Sequence, residues 1–220
     1  GSTEAGIVTV LKPHEQLSKL CSIGRESCGT SLVRLLGPDG SPVPACQAGE
    51  LYSKGPMLFD KYHKLPEKTA QSFRDGWFSA GDMAREDEDG YFYIVDRKDN
   101  MIITGGENVY PSEIEAVIAG HPAVFDAAVI GVPDRIWGES IKAVVILREG
   151  GMASEAEIIN FCAGKAASFK KPKTVTFIKA AEMPRTPTGK ILHRELRRKF
   201  GSGPGPGPCV STHLRMLPKS

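Results

Sequence analysis

Val95-Asp96-Arg97-Lys98-Asp99-Asn100-Met101-Ile102-Ile103-Thr104-Gly105-Gly106-Glu107-Asn108-Val109-Tyr110-Pro111-Ser112-Glu113-Ile114-Glu115 is the stretch on which the reading of the chain turns. Before Gly105 the apolar pattern has the two-residue period of a strand, and after Pro111 it has the period of a helix. Met101-Ile102-Ile103 is too short for a helix and is expected as a buried strand. Arg97-Lys98-Asp99-Asn100 carries too much charge to be buried and is expected as an exposed turn. A fixed cation, two adjacent glycines and a helix start therefore sit within a few residues of each other. The junction is expected to hold something or to move.

The rest of the composition sets bounds. A chain of 220 residues has room for one large domain or two small ones. With 40% hydrophobic and 25% charged residues it can bury an ordinary core. A net charge of +2 gives no ground for nucleic acid or an anionic membrane as partner. No apolar run reaches the roughly 20 residues of a transmembrane segment. Gly1-Ser2-Thr3-Glu4 lacks the pattern of a secretory signal. The five cysteines are odd in number and form no CxxC pair. Reduced thiols in the cytoplasm, or in an organelle matrix, fit better than disulfides or zinc.

Upstream of the opening stretch the chain is β-rich. Strands are expected over 31–36, 49–53, 77–84 and 91–95, with a short helix over 66–73 that has Pro66 near its first position. No core helix joins these pieces, so they read as the end of a larger β-rich unit. Downstream, helices and strands alternate. A helix is expected over 111–120, strands over 123–132 and 141–147, a helix from Ser154 with Glu157 completing a capping box, a strand over 174–178 and a basic helix over 191–200. The expected fold class is α/β (α+β). The expected division is residues 1–98 as the end of a large domain, 99–200 as a small mixed α/β domain, and 201–220 as a flexible Gly/Pro-rich tail.

Several residues invite a functional reading, and each also has a plain one. Lys190 lies in Pro184-Arg185-Thr186-Pro187-Thr188-Gly189-Lys190-Ile191, an extended, non-helical path before a helix. A point charge there suits a phosphate or carboxylate, or is merely a surface lysine. Cations are disfavoured at a helix start, which weakens the plain reading. Gly105-Gly106 admits close backbone approach, or is an ordinary turn. Asp82 after Gly81 can accept two ribose hydroxyls, or bond its own backbone. Arg97 suits a ribose or phosphate, or solvent. Trp137 beside Gly138 lines a ligand channel, or is core. Phe169-Lys170-Lys171-Pro172-Lys173 suits a phosphorylated nucleotide, or is a solvated loop.

Taken in order, Gly1-Ser2-Thr3-Glu4, Gly81-Asp82, Arg97-Lys98-Asp99, Gly105-Gly106-Glu107-Asn108, Pro111-Ser112-Glu113-Ile114-Glu115 and Pro184 to Ile191 resemble the carboxyl-terminal part of the adenylate-forming enzymes. These are the acyl-CoA synthetases, peptide-synthetase adenylation domains and firefly-type luciferases. The wording of 104–111 is most similar to the acyl-CoA synthetase branch. The resemblance implies an ATP-dependent ligase that makes an acyl-adenylate and pyrophosphate, then passes the acyl group to coenzyme A and releases AMP. It implies Thr3, Asp82, Arg97 and Lys190 at the nucleotide, with Lys190 catalytic, and Glu4 at magnesium. It implies Thr104, Gly105, Gly106, Trp137, Phe169, Lys171 and Lys173 at coenzyme A, and Lys98 and Asp99 as a hinge. The implied partners are a small carboxylic acid, ATP, coenzyme A and a preceding amino-terminal domain. The family's phosphate-binding loop and acyl pocket are absent, and Lys61-Tyr62 stands where the family often has Gly-Tyr. The chain is therefore expected to be an incomplete fragment, inactive alone. A carrier protein in place of coenzyme A, or a non-catalytic binding remnant, are the alternatives.

Overall fold

The computed structural model describes residues 1–27 and 32–201. Cys28, Ser31, Cys209 and the expected tail beyond Gly201 lie outside the described residues. The described residues form a mixed α/β structure with three sheets and few helices. In order, it forms β1 (Thr9–Val10), β2 (Arg25–Glu26), β3 (Leu32–Leu36), β4 (Ala48–Lys54), α1 (Pro66–Ser72), β5 (Phe73–Arg74), β6 (Trp77–Phe78), β7 (Asp82–Glu86) and β8 (Phe92–Arg97). A 3-10 turn at Lys98–Asn100 follows. Then come β9 (Ile102–Thr104), β10 (Glu107–Val109), α2 (Pro111–Ala119), β11 (Val124–Asp134), β12 (Gly138–Leu147), α3 (Glu155–Phe161), β13 (Thr174–Phe177) and α4 (His193–Phe200).

The first part is antiparallel. Strands run β5-β6-β4-β7-β8, with β3 also on β4, and β1 pairs with β2. The expected strand over 77–84 is in fact two, β6 and β7, parted at Gly81, whose φ of +83° only glycine adopts without strain. Two apolar clusters underlie this sheet. One gathers Ala5, Val8 and Phe78, the other Leu35, Ala84 and Phe92.

The second part is built on the long β11–β12 hairpin. β11 pairs along the whole of β12, from Asp134↔Gly138 to Val124↔Leu147. The other edge of β12 takes β13 in parallel at Lys142 to Val145 and β9 at Gly138. Side chains alternate between the faces of a strand. Ala127, Val129, Ile141, Ala143 and Val145 pack with Ile114 and Ile118 of α2 and Ile158 of α3. Ala128, Ile130, Val132, Val144 and Ile146 face the other way, against Leu196 of α4 and against Met183, which precedes that helix. This is why Ala127-Ala128-Val129-Ile130 and Ala143-Val144-Val145-Ile146 read as unbroken apolar runs.

Two local expectations are sharpened. The capping box at Ser154 and Glu157 forms, with Glu157 N–H to Ser154 Oγ at 3.2 Å and Ser154 N–H to Glu157 Oε2 at 2.7 Å. The strand at Met101-Ile102-Ile103 is buried on one side only: Ile102 is fully buried and Ile103 is half exposed. β9 lies near the sheet edge and covers the core with one face.

α4 is strongly basic, so its attachment rests on few apolar contacts. Leu196 is its fully buried residue. Leu196→Ala is expected to cost roughly 2–5 kcal/mol in a urea denaturation series, while Arg198→Ala on the outer face stays within about 0.5 kcal/mol.

Candidate active site

Asp82 opens β7 and Arg97 closes β8, and the two face each other across the antiparallel ladder. The Arg97 guanidinium donates to Asp82 Oδ1 at 2.8 Å and to the Ala80 carbonyl at 2.7 Å. The Arg97 side chain is about half exposed. A solvated pair of this kind contributes at most about 1 kcal/mol to stability. Its effect is geometric, since it fixes a carboxylate and a guanidinium side by side at the rim of a cavity of about 430 Å³.

Lys190 lines the same cavity, with Ser2, Ser53, Ala80 and Ile94. It stands at the end of a tight turn rather than on the extended path its prolines alone predict. The Gly189 N–H donates to the Thr186 carbonyl at 2.9 Å, and the Thr186 N–H to the Lys190 carbonyl at 2.8 Å. Pro187 occupies the second position of this turn, and Gly189 takes a φ of +87°. Arg185 pairs with Ile191 in an isolated bridge, which delays the last helix to His193 instead of 191. The Arg185 guanidinium also donates to the Gly189 carbonyl at 2.9 Å and to Asp126 of β11. Lys190 is thus a flexible cation on a pinned base. Thr3 is exposed, and neither it nor Glu4 lines the cavity. Glu4 accepts a hydrogen bond from the Tyr62 hydroxyl at 2.9 Å, which holds its carboxyl below the ordinary range against a smaller opposing effect of burial. No cluster of three or more metal-ligating side chains exists among the described residues. A magnesium ion at Glu4 would take most of its oxygen ligands from nucleotide phosphates and water, the usual arrangement for that ion.

A second cavity, of about 840 Å³, is lined by Thr104, Gly105, Trp137, Phe169, Lys171 and Lys173, with Glu107, Ile159, Ser168 and Pro172. It shares no lining residue with the first. Gly106 adjoins it without lining it, and has open space where a Cβ would stand. Gly105, at φ +61°, lies under the indole: an added Cβ would come within 2.9 Å of the Trp137 ring. Trp137 and Phe169 are 50% and 46% exposed, costly placements for aromatic rings that a ligand would offset. Lys173 Nζ lies 5.6 Å from the Trp137 ring centroid. Apolar faces beside cations suit a ligand that carries both apolar and anionic groups.

Three residues that the sequence reading passed over organise these places. Asp134 accepts from Lys173 Nζ at 2.8 Å and from the N–H groups of Ile136 and Trp137. Glu50 accepts from Lys98 Nζ and Ser79 Oγ, each at 2.8 Å, and from the Tyr52 hydroxyl at 3.1 Å. Burial pushes the Glu50 carboxyl up, but these donors and the Lys98 charge outweigh it, so it sits below the ordinary range. A glutamate facing inward among strand residues was the available signal. Arg197 was visible only as part of a basic helix face. The proposed hinge, Lys98 and Asp99, lies in the 3-10 turn between the two large sheets.

Residues 113–190 match the AMP-binding enzyme C-terminal domain. Across that segment the chain carries this family's domain, and as a whole it is similar to the carboxyl-terminal portion of the adenylate-forming enzymes. Its curated relatives are coenzyme A ligases, among them a feruloyl-CoA synthase of Amycolatopsis, 45% identical over 91% of this chain and 40% of its own. Among solved structures, ATP-bound MatB of Rhodopseudomonas palustris aligns over 92% of this chain and 40% of its own, at 36% identity and a TM-score of 0.83. The o-succinylbenzoate coenzyme A synthetase MenE of Bacillus subtilis, with ATP and magnesium, aligns over 90% and 40%, at 31% identity and a TM-score of 0.79. The chain spans about 40% of the length of these relatives.

Gly105→Ala and Gly106→Ala each place a side chain in left-handed backbone, a strain of roughly 1–2 kcal/mol. Only Gly105→Ala also displaces the indole, so a change in tryptophan emission is expected for it and not for Gly106→Ala. Asp134 supplies a pH test. Lys173 and the two backbone N–H groups hold its carboxyl at about 2 instead of 3.8. Its folded value is the lower one, so its stabilisation is complete above 3.8 and is lost as pH falls through about 2. Asp134→Asn is expected to flatten that part of an acid-unfolding profile followed by circular dichroism.

Proposed function

We propose that the chain is the carboxyl-terminal part of an ATP-dependent acid–thiol ligase that joins a carboxylic acid to coenzyme A. One observation carries this reading: Lys190 meets Asp82 and Arg97 at one cavity, while the glycine loop, Trp137 and Lys173 border another. In the first half-reaction a carboxylate oxygen attacks the α-phosphorus of ATP, and the bond from that phosphorus to pyrophosphate breaks. Lys190 bridges the carboxylate and phosphate oxygens and stabilises the charge that builds there. Asp82 accepts the ribose hydroxyls, Arg97 holds Asp82 in place, and Thr3 and Glu4 serve the phosphate and its magnesium. In the second half-reaction the thiol sulfur attacks the acyl carbon, AMP leaves with the bonding electrons, and the thiol proton passes to solvent.

The second cavity is assigned to coenzyme A. Gly105 and Gly106 leave room for the pantetheine arm, Trp137 and Phe169 offer apolar faces, and Lys171 and Lys173 offer charge to phosphates. Adenylation lysine and incoming thiol need the same space beside the acyl-adenylate. Rotation of residues 99–200 about Lys98 and Asp99 resolves the conflict by exchanging one face for the other. The acid pocket and phosphate loop are assigned to a preceding domain, in keeping with the share of the relatives that the chain spans. We place the enzyme in a reducing compartment, the cytoplasm or an organelle matrix. Cys21, Cys46 and Cys162 are free thiols, and no helix among the described residues is long and apolar enough to cross a membrane.

In the enzyme completed by that domain, Lys190→Ala is expected to lower pyrophosphate exchange by about 10²–10³-fold, the range for loss of a transition-state charge donor. It is expected to leave thioester formation from supplied acyl-adenylate nearly intact. Equal loss in both half-reactions would count against two separate faces. Transfer to a carrier protein, with no coenzyme A thioester formed, would replace the acceptor named here.

A further inference from the structure

The 3-10 turn between the sheets is fastened separately on each side. On the β8 side, the Lys98 N–H donates to the Gly81 carbonyl at 2.7 Å and its ammonium to Glu50 at 2.8 Å. On the other side, the Arg197 guanidinium of α4 donates to the Asp99 carbonyl at 2.7 Å and the Asn100 carbonyl at 2.6 Å. Arg197 has no carboxylate within salt-bridge distance among the described residues, and its Nε is buried without a partner. A guanidinium held by two carbonyls alone stiffens the chain just past the turn. These fastenings leave the Lys98–Asp99 junction as the place where torsion can change.

A separate set of bonds crosses that junction. Asp96 lies before it, and its two carboxylate oxygens accept from residues after it: Asn100 Nδ2 at 3.0 Å and the Ser112 N–H at 2.9 Å. Ser112 sits in the first turn of α2, where N–H groups lack helical partners and favour an anion. Its hydroxyl reaches back to the Val95 carbonyl at 2.5 Å. In addition, the Met101 N–H donates to the Lys98 carbonyl at 3.2 Å, closing the turn. A rotation about Lys98–Asp99 carries Asn100 and Ser112 away from Asp96 and Val95. Bonds this short do not survive it.

We propose that Asp96, through Asn100 and Ser112, is a latch that holds the second unit in the orientation presenting Lys190 to Asp82 and Arg97, and that opening it precedes the turn to the other face. This rests on the two-orientation reading above. Asp96 touches none of the reacting atoms. It is a positioning residue acting through the placement of Lys190.

The test is a distance measured on the whole chain, with bioorthogonal spectroscopic labels replacing the exposed Glu67 and Arg194. The parent chain is expected to give one dominant distance. Asp96→Ala is expected to add a second population, Ser112→Ala to do so more weakly because its N–H remains, and Lys190→Ala to keep the parent distance. In the completed enzyme, Asp96→Ala is expected to lose adenylation while keeping thioester formation from supplied acyl-adenylate. A folded Asp96→Ala protein with the parent distance distribution overturns the latch. Should Asp96→Ala fail to fold, the Asn100→Ala/Ser112→Ala pair, which removes the Asn100 amide and the Ser112 hydroxyl but keeps the carboxylate and the Ser112 N–H, is expected to show the second population at an intermediate level, and its absence overturns the latch. A completed enzyme that makes no thioester would sink the ligase reading while leaving the distance result standing, so the two failures are distinguishable.

Discussion

Burial of the β11–β12 hairpin on both faces is the constraint from which the second half of the molecule follows. Each strand sends alternate residues into two cores that do not mix. One core demands α2 and α3, the other demands α4. The Gly105 loop leads into α2 and the Lys190 turn leads into α4. The two loops therefore belong to different layers before any ligand is considered. Exposed ion pairs do not set this arrangement. Lys170–Glu113, Lys199–Glu182 and Arg198–Glu195 are solvated and worth little each. Fully buried isoleucines and valines, at about 1.5–3 kcal/mol apiece, decide it.

Charge matters instead where backbone and side chains gather around one carboxylate. Asp134, Glu50 and Asp96 each accept two or more hydrogen bonds, and each sits beside a place that a ligand or a rotation would use. Asp134 sets the indole and Lys173 of the larger cavity. Glu50 anchors the lysine before the turn. Such carboxylates are short and stiff, and they convert a loop that has many conformations into one with few.

Much of this was legible in the residues. Pro111, the Ser154–Glu157 pair and the apolar runs gave the helices and the central strands. Gly81-Asp82, Arg97 and the Pro-Thr-Gly-Lys stretch gave the cavity-facing residues. What escaped has a physical reason in each case. Helix start signals do not register an isolated bridge, so Arg185↔Ile191 moved the start of α4 unseen. Three apolar residues in a row do not show whether one face or both of a strand are covered, so Ile103 was expected inside. Asp134, Glu50, Asp96 and Arg197 act on partners far along the chain or on backbone groups. Nothing in their immediate neighbours distinguishes them from ordinary surface charges.

The separation of the two cores also bears on how such a chain changes over generations. A substitution in the layer of α2 and α3 repacks against one face of the hairpin and leaves the packing beneath Lys190 undisturbed. Under the proposed function, the acceptor side and the adenylating side touch directly where Glu115 of α2 meets His193 of α4 at 2.7 Å, and elsewhere can drift separately across the hairpin. A lineage can refashion the layer behind one loop while most of the layer behind the other stays as it was.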